Sequence, residues 1–137
     1  MFISEITFEV RYYETDMMGI VHHSNYIRYF ETARSKALKD LGLPIEKIES
    51  SGIMMPVIHI ECDYKIPLKM GDEIKIISKI KELPKVKFTI DSDIFNEKGE
   101  KVASGSVTLG FIHSGNRRPT RAPDFVLSVF SPYFKNN

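Results

Sequence analysis

Residues 24–42 read SNYIRYFETARSKALKDLG. Tyr26, Phe30, Ala33, Ala37 and Leu41 recur at spacings of three and four, which lays an apolar stripe along one face of a helix. Ser24 or Asn25 is placed to cap its N-terminus, and Gly42 followed by Pro44 to end it. No other stretch predicts a long helix. On both sides the pattern changes. Residues 3–13, ISEITFEVRYY, are rich in β-branched and aromatic types and read as a strand. Beyond residue 52 the period becomes two: Met54, Pro56, Ile58, Ile60, Cys62, Tyr64 and Ile66 share one face of a long strand, predicted to be buried. Residues 73–82 carry Ile74, Ile76 and Ile80, and residues 85–95 place Val86, Phe88, Ile90 and Ile94 on one face. Asn96-Glu97-Lys98-Gly99 is a hairpin signal, and residues 101–113 form a last strand with Ala103, Val107, Leu109 and Phe111 on its apolar side. Strand, loop, helix and then hairpin-linked strands imply an α+β class with an antiparallel sheet. Strands this long predict a curved sheet wrapping the helix. The last 25 residues read as irregular.

Composition sets the outer limits. A chain of 137 residues predicts one domain, 1–137, with a real core. With 42% hydrophobic and 27% charged residues it is neither disordered nor fibrous. No run approaches the roughly 18 to 20 apolar residues that span a bilayer. The opening MFISEITFEV holds acids and lacks a basic stretch followed by an apolar one, which predicts no signal peptide and a cytoplasmic protein. Nineteen Lys and Arg against 18 Asp and Glu leave a net charge of +1, which gives no reason to expect a nucleic-acid partner. A single Cys excludes an intrachain disulfide and any CxxC metal site.

The chemistry concentrates between the first strand and the helix, in Arg11-Tyr12-Tyr13-Glu14-Thr15-Asp16-Met17-Met18-Gly19-Ile20-Val21-His22-His23-Ser24-Asn25-Tyr26. A carboxylate, a Gly and two His stand just before a helix N-terminus. Free backbone N–H groups and the positive end of the helix dipole favour a developing negative charge there. An oxyanion formed at a carbonyl is such a charge, and a nearby carboxylate can attack that carbonyl or activate a water. The set suits acyl chemistry without metal or redox cofactor. An Asp and a Gly before a helix also serve as ordinary turn and capping residues.

The string RYYETDMMGIVHHSNYIRYFETAR resembles the signature of hotdog-fold acyl-CoA thioesterases, closest to the 4-hydroxybenzoyl-CoA thioesterase type with its bacterial short-chain and Tol–Pal-associated branch. The shared features are Thr15-Asp16, Gly19, Val21, His23, Asn25-Tyr26 and Phe30-Glu31-x-Ala33-Arg34, then Glu61-Cys62-Asp63-Tyr64-Lys65-Ile66-Pro67 and Gly71-Asp72. The resemblance implies a hotdog fold, in which a long central helix is wrapped by a curved five-stranded antiparallel sheet. It further implies a homodimer or homotetramer with active sites between chains, and hydrolysis of an acyl-CoA to a carboxylic acid and free CoA with no cofactor. It makes Asp16 the nucleophile or general base and puts a backbone N–H near His23 on the thioester oxygen. The His23 side chain would position substrate or water. Gly19 would let the backbone approach the thioester, Tyr13 would line the acyl pocket, and Val21 and Ser24 would belong to the substrate site. Many relatives carry an aromatic residue where His22 stands, so the roles of the two imidazoles stay open. A non-catalytic acyl-binding module, and a thioesterase acting on acyl-carrier protein, are the alternatives. A dehydratase on the same fold would carry a His-x-Pro-Gly step, absent here.

Other features read more plainly. Cys62 on an apolar strand face is a core residue before it is a nucleophile, and His59 and His113 are isolated strand residues. His22, His23 and Asp16 lack HxH or HExxH spacing, so no metal site is predicted. Asn116-Arg117-Arg118-Pro119-Thr120-Arg121 packs three guanidinium groups into five positions. Arg117, Arg118 and Arg121 are either a solvated turn or the site for the phosphates of coenzyme A, which the planar guanidinium fork fits.

Overall fold

Strand β1 (Phe2–Glu9) finds its partner far down the chain, in strand β4 (Glu73–Ile80), with Phe2 opposite Ile80 and Glu9 opposite Glu73. In the computed structural model, which describes residues 1–134, β4 continues antiparallel to β5 (Lys87–Phe95), β5 to β6 (Lys101–Gly110), and β6 to β3 (Val57–Tyr64). The sheet order is β1-β4-β5-β6-β3, and a small ribbon pairs β2 (Ile53–Met54) with β7 (Ile112–His113). Helix α1 (Ser24–Asp40) lies across one sheet face, and the short helices α2 (Ile45–Ser50) and α3 (Asp124–Phe130) add the buried side chains of Ile48, Val126 and Phe130 to the core. This is the expected hotdog arrangement: α+β, five antiparallel strands and one long helix.

The apolar stripe of α1 does what its spacing predicts. Tyr26, Tyr29, Phe30, Ala33 and Ala37 are buried, against a sheet face made of Ile74, Ile76, Ile80, Phe88, Ile90, Ile94, Val107 and Leu109. Gly105 on β6 lets the helix settle, because a Cβ there would stand 2.5 Å from Cε2 of Phe30. The helix ends as expected. Gly42 takes φ +77°, Gly42 N–H donates to the Lys39 carbonyl (3.0 Å) and Leu43 N–H to the Leu38 carbonyl (2.8 Å), a Schellman motif. Its start differs: neither Ser24 nor Asn25 caps it. His23 holds the cap position without a side-chain cap bond, and the Asn25 amide donates elsewhere, to the Glu14 carbonyl.

Four other expectations are corrected. The first strand stops at Glu9, because the Glu14 carboxylate accepts the Arg11 N–H and turns Tyr12–Glu14 into a single 3₁₀ turn. The strand drawn from residue 52 splits at Met55-Pro56, and the face predicted to be buried is open along β3: Ile58 is 52% exposed and Tyr64 52%. The reason is position, since β3 is an edge strand while α1 packs over β1, β4 and β5. Val86 precedes β5 and is exposed. The irregular C-terminal stretch contains α3, whose Val126 and Phe130 are buried, Phe130 edge-on to Phe88 at 5.5 Å between ring centroids. Among the described residues no helix is long and apolar enough to cross a membrane.

Candidate active site

Asp16 sits at the base of a miniature hairpin. Thr15 bridges Val21, Asp16 N–H donates to the Ile20 carbonyl (2.9 Å), and Gly19 N–H donates to the Asp16 carbonyl (3.0 Å). Gly19 takes φ +78°, where a side chain would strain the turn. The Asp16 carboxylate accepts the Met18 N–H at Oδ1 (2.8 Å), while Oδ2 has no hydrogen-bond donor among the described residues. Val21 N–H donates to the Leu68 carbonyl (2.8 Å), which pins the return arm to the chain leaving β3.

The hairpin and the start of α1 enclose an open cleft of about 410 Å³, lined by Asp16, Met18, Ile20, Val21, His23, Tyr26, Tyr64, Lys65, Ile66 and Pro67. One wall is therefore the helix N-terminus and the other is the end of β3. Tyr64 closes the corner: its hydroxyl donates to the His23 carbonyl (3.3 Å), and its ring meets that of Tyr26 edge-on at 4.9 Å. Burial, helped by Cys62 and Tyr64, pushes the Tyr26 hydroxyl up to about 12. It therefore stays a neutral wall at any working pH. At the start of α1, Asn25 N–H and Tyr26 N–H donate to the carbonyls of His22 and His23, whereas the His23 N–H has no acceptor among the described residues. A free N–H at a helix N-terminus beside a carboxylate is a place for an oxygen that gains negative charge.

The two imidazoles separate. Their rings lie 4.1 Å apart, but His22 turns its Nδ1 toward the hydroxyl of Ser24 (2.8 Å) and the Ser24 N–H (3.2 Å), so it works as a capping acceptor. His23 faces the cleft. The described residues contain no group of three His, Cys, Asp or Glu able to hold a metal ion.

Of the residues singled out in the sequence, Asp16, Val21 and His23 line one cleft. Gly19 shapes the hairpin and Ser24 meets His22, both outside the lining. Tyr13 is 72% exposed on the 3₁₀ turn rather than at a strand end, and does not line this cleft in its own chain. Arg117, Arg118 and Arg121 lie beyond β7, where Arg118 and Pro119 pair back onto His113 and Ile112. That is the Val57 end of β3, while Asp16 is at the Tyr64 end. Eight residues of strand, roughly 25 Å at about 3.3 Å per residue, separate them. Lys65 is the one Lys or Arg in the lining. Sequence reading missed Tyr64, Lys65 and Ile66 as site residues, although the Tyr64-Lys65-Ile66-Pro67 string was part of the resemblance. A second cleft, of about 450 Å³ around Glu73, Lys75, Ile77 and Asn96, opens on the outer sheet face and holds none of the loop residues.

A family model described as the thioesterase-like superfamily matches residues 10–130. The chain is similar to the acyl-CoA thioesterase YbgC of Helicobacter pylori, 30% identical over 123 residues that cover 83% of this chain and 90% of that one. The solved DHNA-CoA thioesterase of Staphylococcus aureus superposes with a TM-score of 0.90 at 31% identity, covering 97% of this chain and 91% of the other. The BH1999 gentisyl-coenzyme A thioesterase superposes at 0.83 with 26% identity, covering 93% and 99%.

Proposed function

The chain belongs to the thioesterase-like superfamily, and from that premise we propose that it is an enzyme hydrolysing an acyl-CoA thioester to a carboxylic acid and free CoA. The observation that carries this is the pairing, in one cleft, of the Asp16 carboxylate with the start of α1 at His23. The thioester carbonyl lies between them, its oxygen toward the His23 N–H and its carbon toward Asp16. As general base, Asp16 takes a proton from a water whose oxygen bonds to the carbonyl carbon. As nucleophile, its Oδ2 makes that bond first and water cleaves the resulting anhydride. In the first route the C–S bond breaks after water has added, and in the second it breaks as the anhydride forms, before water cleaves it. In both the thiolate of CoA leaves and takes up a proton, and one water is consumed. The N–H that stabilises the oxyanion acts most strongly when the charge is fully developed, which is the condition for raising turnover rather than mere binding. The His23 side chain orients substrate or water. The relatives named acyl-CoA thioesterase support an acyl-CoA substrate, and the motif from Thr15 to Arg34 resembles that of the 4-hydroxybenzoyl-CoA thioesterase-like branch.

The working unit is a homodimer or a dimer of dimers. The edge strand β3 leaves Ile58, Ile60 and Tyr64 uncovered, and Ile27 of α1 is 42% exposed. A second copy pairing its β3 antiparallel about a two-fold axis covers these side chains. The same operation carries the partner's Val57 end, and with it a second set of the three arginines, toward the Tyr64 end of the first chain. The arginines that are remote from Asp16 in one chain thus become available to the CoA phosphates in trans. The test is thiol release from a panel of acyl-CoAs by the purified protein. Turnover of at least one acyl-CoA, with equal yields of acid and free thiol, is expected. Binding of acyl-CoA without thiol release would make the chain an acyl-binding module instead.

A further inference from the structure

Glu14 stands two residues before Asp16 and is only 6% exposed. A buried carboxylate is costly unless its oxygens are paired and hydrogen-bonded. Here they are: Oε1 accepts the Arg11 N–H (2.8 Å) and the Tyr29 hydroxyl (3.0 Å), and Oε2 lies 3.5 Å from the Arg11 guanidinium. The backbone carbonyl of the same residue accepts two further bonds, from the His22 N–H (2.9 Å) and from the buried Asn25 amide (2.8 Å). One residue therefore joins the exit of β1, the return arm of the Asp16 hairpin and the first two turns of α1. Burial and the hydrogen bond to Glu14 both push the Tyr29 hydroxyl upward, so it remains a donor to Glu14. Asn25 is 7% exposed in the first helical turn, where neither packing nor capping calls for an amide. Its Nδ2 is spent on the Glu14 carbonyl.

Resting on the thioesterase reading above, we propose that Asn25 and Glu14 are positioning residues: the Asn25–Glu14 tether holds the Asp16 carboxylate at its working distance from the N-terminus of α1. Neither side chain lines the cleft. The tether acts through Asp16, because the hairpin that carries Asp16 is anchored at both ends, by Glu14 on the way in and by His22 on the way out. A displacement of about 1 Å at a reacting group costs on the order of a hundredfold in rate, so loss of this anchor is read in turnover.

The experiment is a double-mutant comparison. Asn25→Ala, Tyr29→Phe and Asp16→Asn are made singly, and the first two also in the Asp16→Asn background, with kcat, KM for an acyl-CoA and melting temperature measured for each. Asn25→Ala is expected to lower kcat by roughly ten- to a hundredfold with KM within about threefold. In the Asp16→Asn background the same change is expected to cost less than about threefold, because the group whose position it sets is gone. A folded Asn25→Ala protein with kcat within threefold of wild type overturns the proposal. So does an equal loss in both backgrounds, which marks a general structural role. Should Asn25→Ala fail to fold, Tyr29→Phe decides. It removes one hydroxyl from the Glu14 carboxylate and is expected to lower kcat by about three- to tenfold, again only when Asp16 is present. An unchanged kcat there overturns the proposal. Absence of thiol release by the wild type overturns the thioesterase reading itself. Full turnover in Asp16→Asn overturns the assignment of Asp16 and the tether with it, and lost turnover in Asp16→Asn with unchanged Asn25→Ala overturns only the tether.

Discussion

Replacing Gly105 by Ala tests how α1 is seated on the sheet. The added Cβ would stand 2.5 and 2.6 Å from two ring carbons of Phe30 and 2.7 Å from the backbone carbonyl of Glu61 on β3, where ordinary contacts run from 3.4 to 4.0 Å. Relief needs a movement of about 1 Å. Phe30 cannot supply it freely, since it is 2% exposed and enclosed by the core. The second obstacle is backbone, so the β6–β3 ladder must shift as well. Overpacking of this kind costs about 1–3 kcal/mol, and two separate obstacles, one of them backbone, put the cost near the upper end. The lower chain entropy of Ala in a strand returns about 0.5–1 kcal/mol. A net loss of roughly 2 kcal/mol corresponds to a melting temperature lower by roughly 6–8 °C for a domain of this size. Calorimetry of wild type, Gly105→Ala, Phe30→Leu and the double variant measures it. The shorter Leu should recover part of the loss in the double variant, a coupling of about 1 kcal/mol. A Gly105→Ala melting temperature within 2 °C of wild type would refute the seating.

The triple change of Arg117, Arg118 and Arg121 to Ala is expected to raise KM for acyl-CoA by about tenfold with kcat little altered, because this binding is equal in ground and transition states. The effect should shrink at high salt and vanish for an acyl-pantetheine, which has no nucleotide phosphate; an equal loss on acyl-pantetheine would show the arginines to be structural. Light scattering at micromolar concentration should find a dimer or tetramer, and an active monomer would contradict the β3 pairing. Alkali should destabilise the fold between pH 10 and 12. Tyr26 ionises near 10 when unfolded but at about 12 when folded, so its contribution is complete below pH 10 and is lost as pH rises to 12, about 2–3 kcal/mol in all. Denaturant midpoints measured across that window should fall less steeply in Tyr26→Phe, and a midpoint flat with pH would contradict the burial argument.

The helix was legible because Tyr26, Phe30, Ala33 and Ala37 pack as their spacing requires, and β4, β5 and β6 because each alternates against that helix. Where neighbours far along the chain decide, the pattern misleads. The alternation of Ile58, Ile60 and Tyr64 is real, but an edge strand has nothing in its own chain to bury that face. Helix α3 is seven residues long, too short for periodicity, and only the i, i+4 pair Val126 and Phe130 hints at it. At the site, Asp16 and His23 were readable from a local motif. Tyr64 reaches His23 across 41 positions of chain, and nothing in the sequence marks Glu14, whose carboxylate and carbonyl together accept four hydrogen bonds, from Arg11, Tyr29, His22 and Asn25. The arginine cluster carried the right chemistry for phosphate, but its distance from Asp16 along β3 follows from sheet topology alone.

The central claim is that Asp16 turns over the thioester, and Asp16→Asn tests it most directly. Asn keeps the size and the acceptor for Met18 N–H while removing the negative charge that attacks the carbonyl or takes the proton from water. Thiol release by wild type and Asp16→Asn is compared on the best acyl-CoA, with melting temperatures measured alongside. The expected result is a kcat at least about a hundredfold lower, the lower end of what a positioned acid or base contributes, at unchanged stability. Turnover within threefold of wild type would contradict the assignment of Asp16 and, with it, the mechanism.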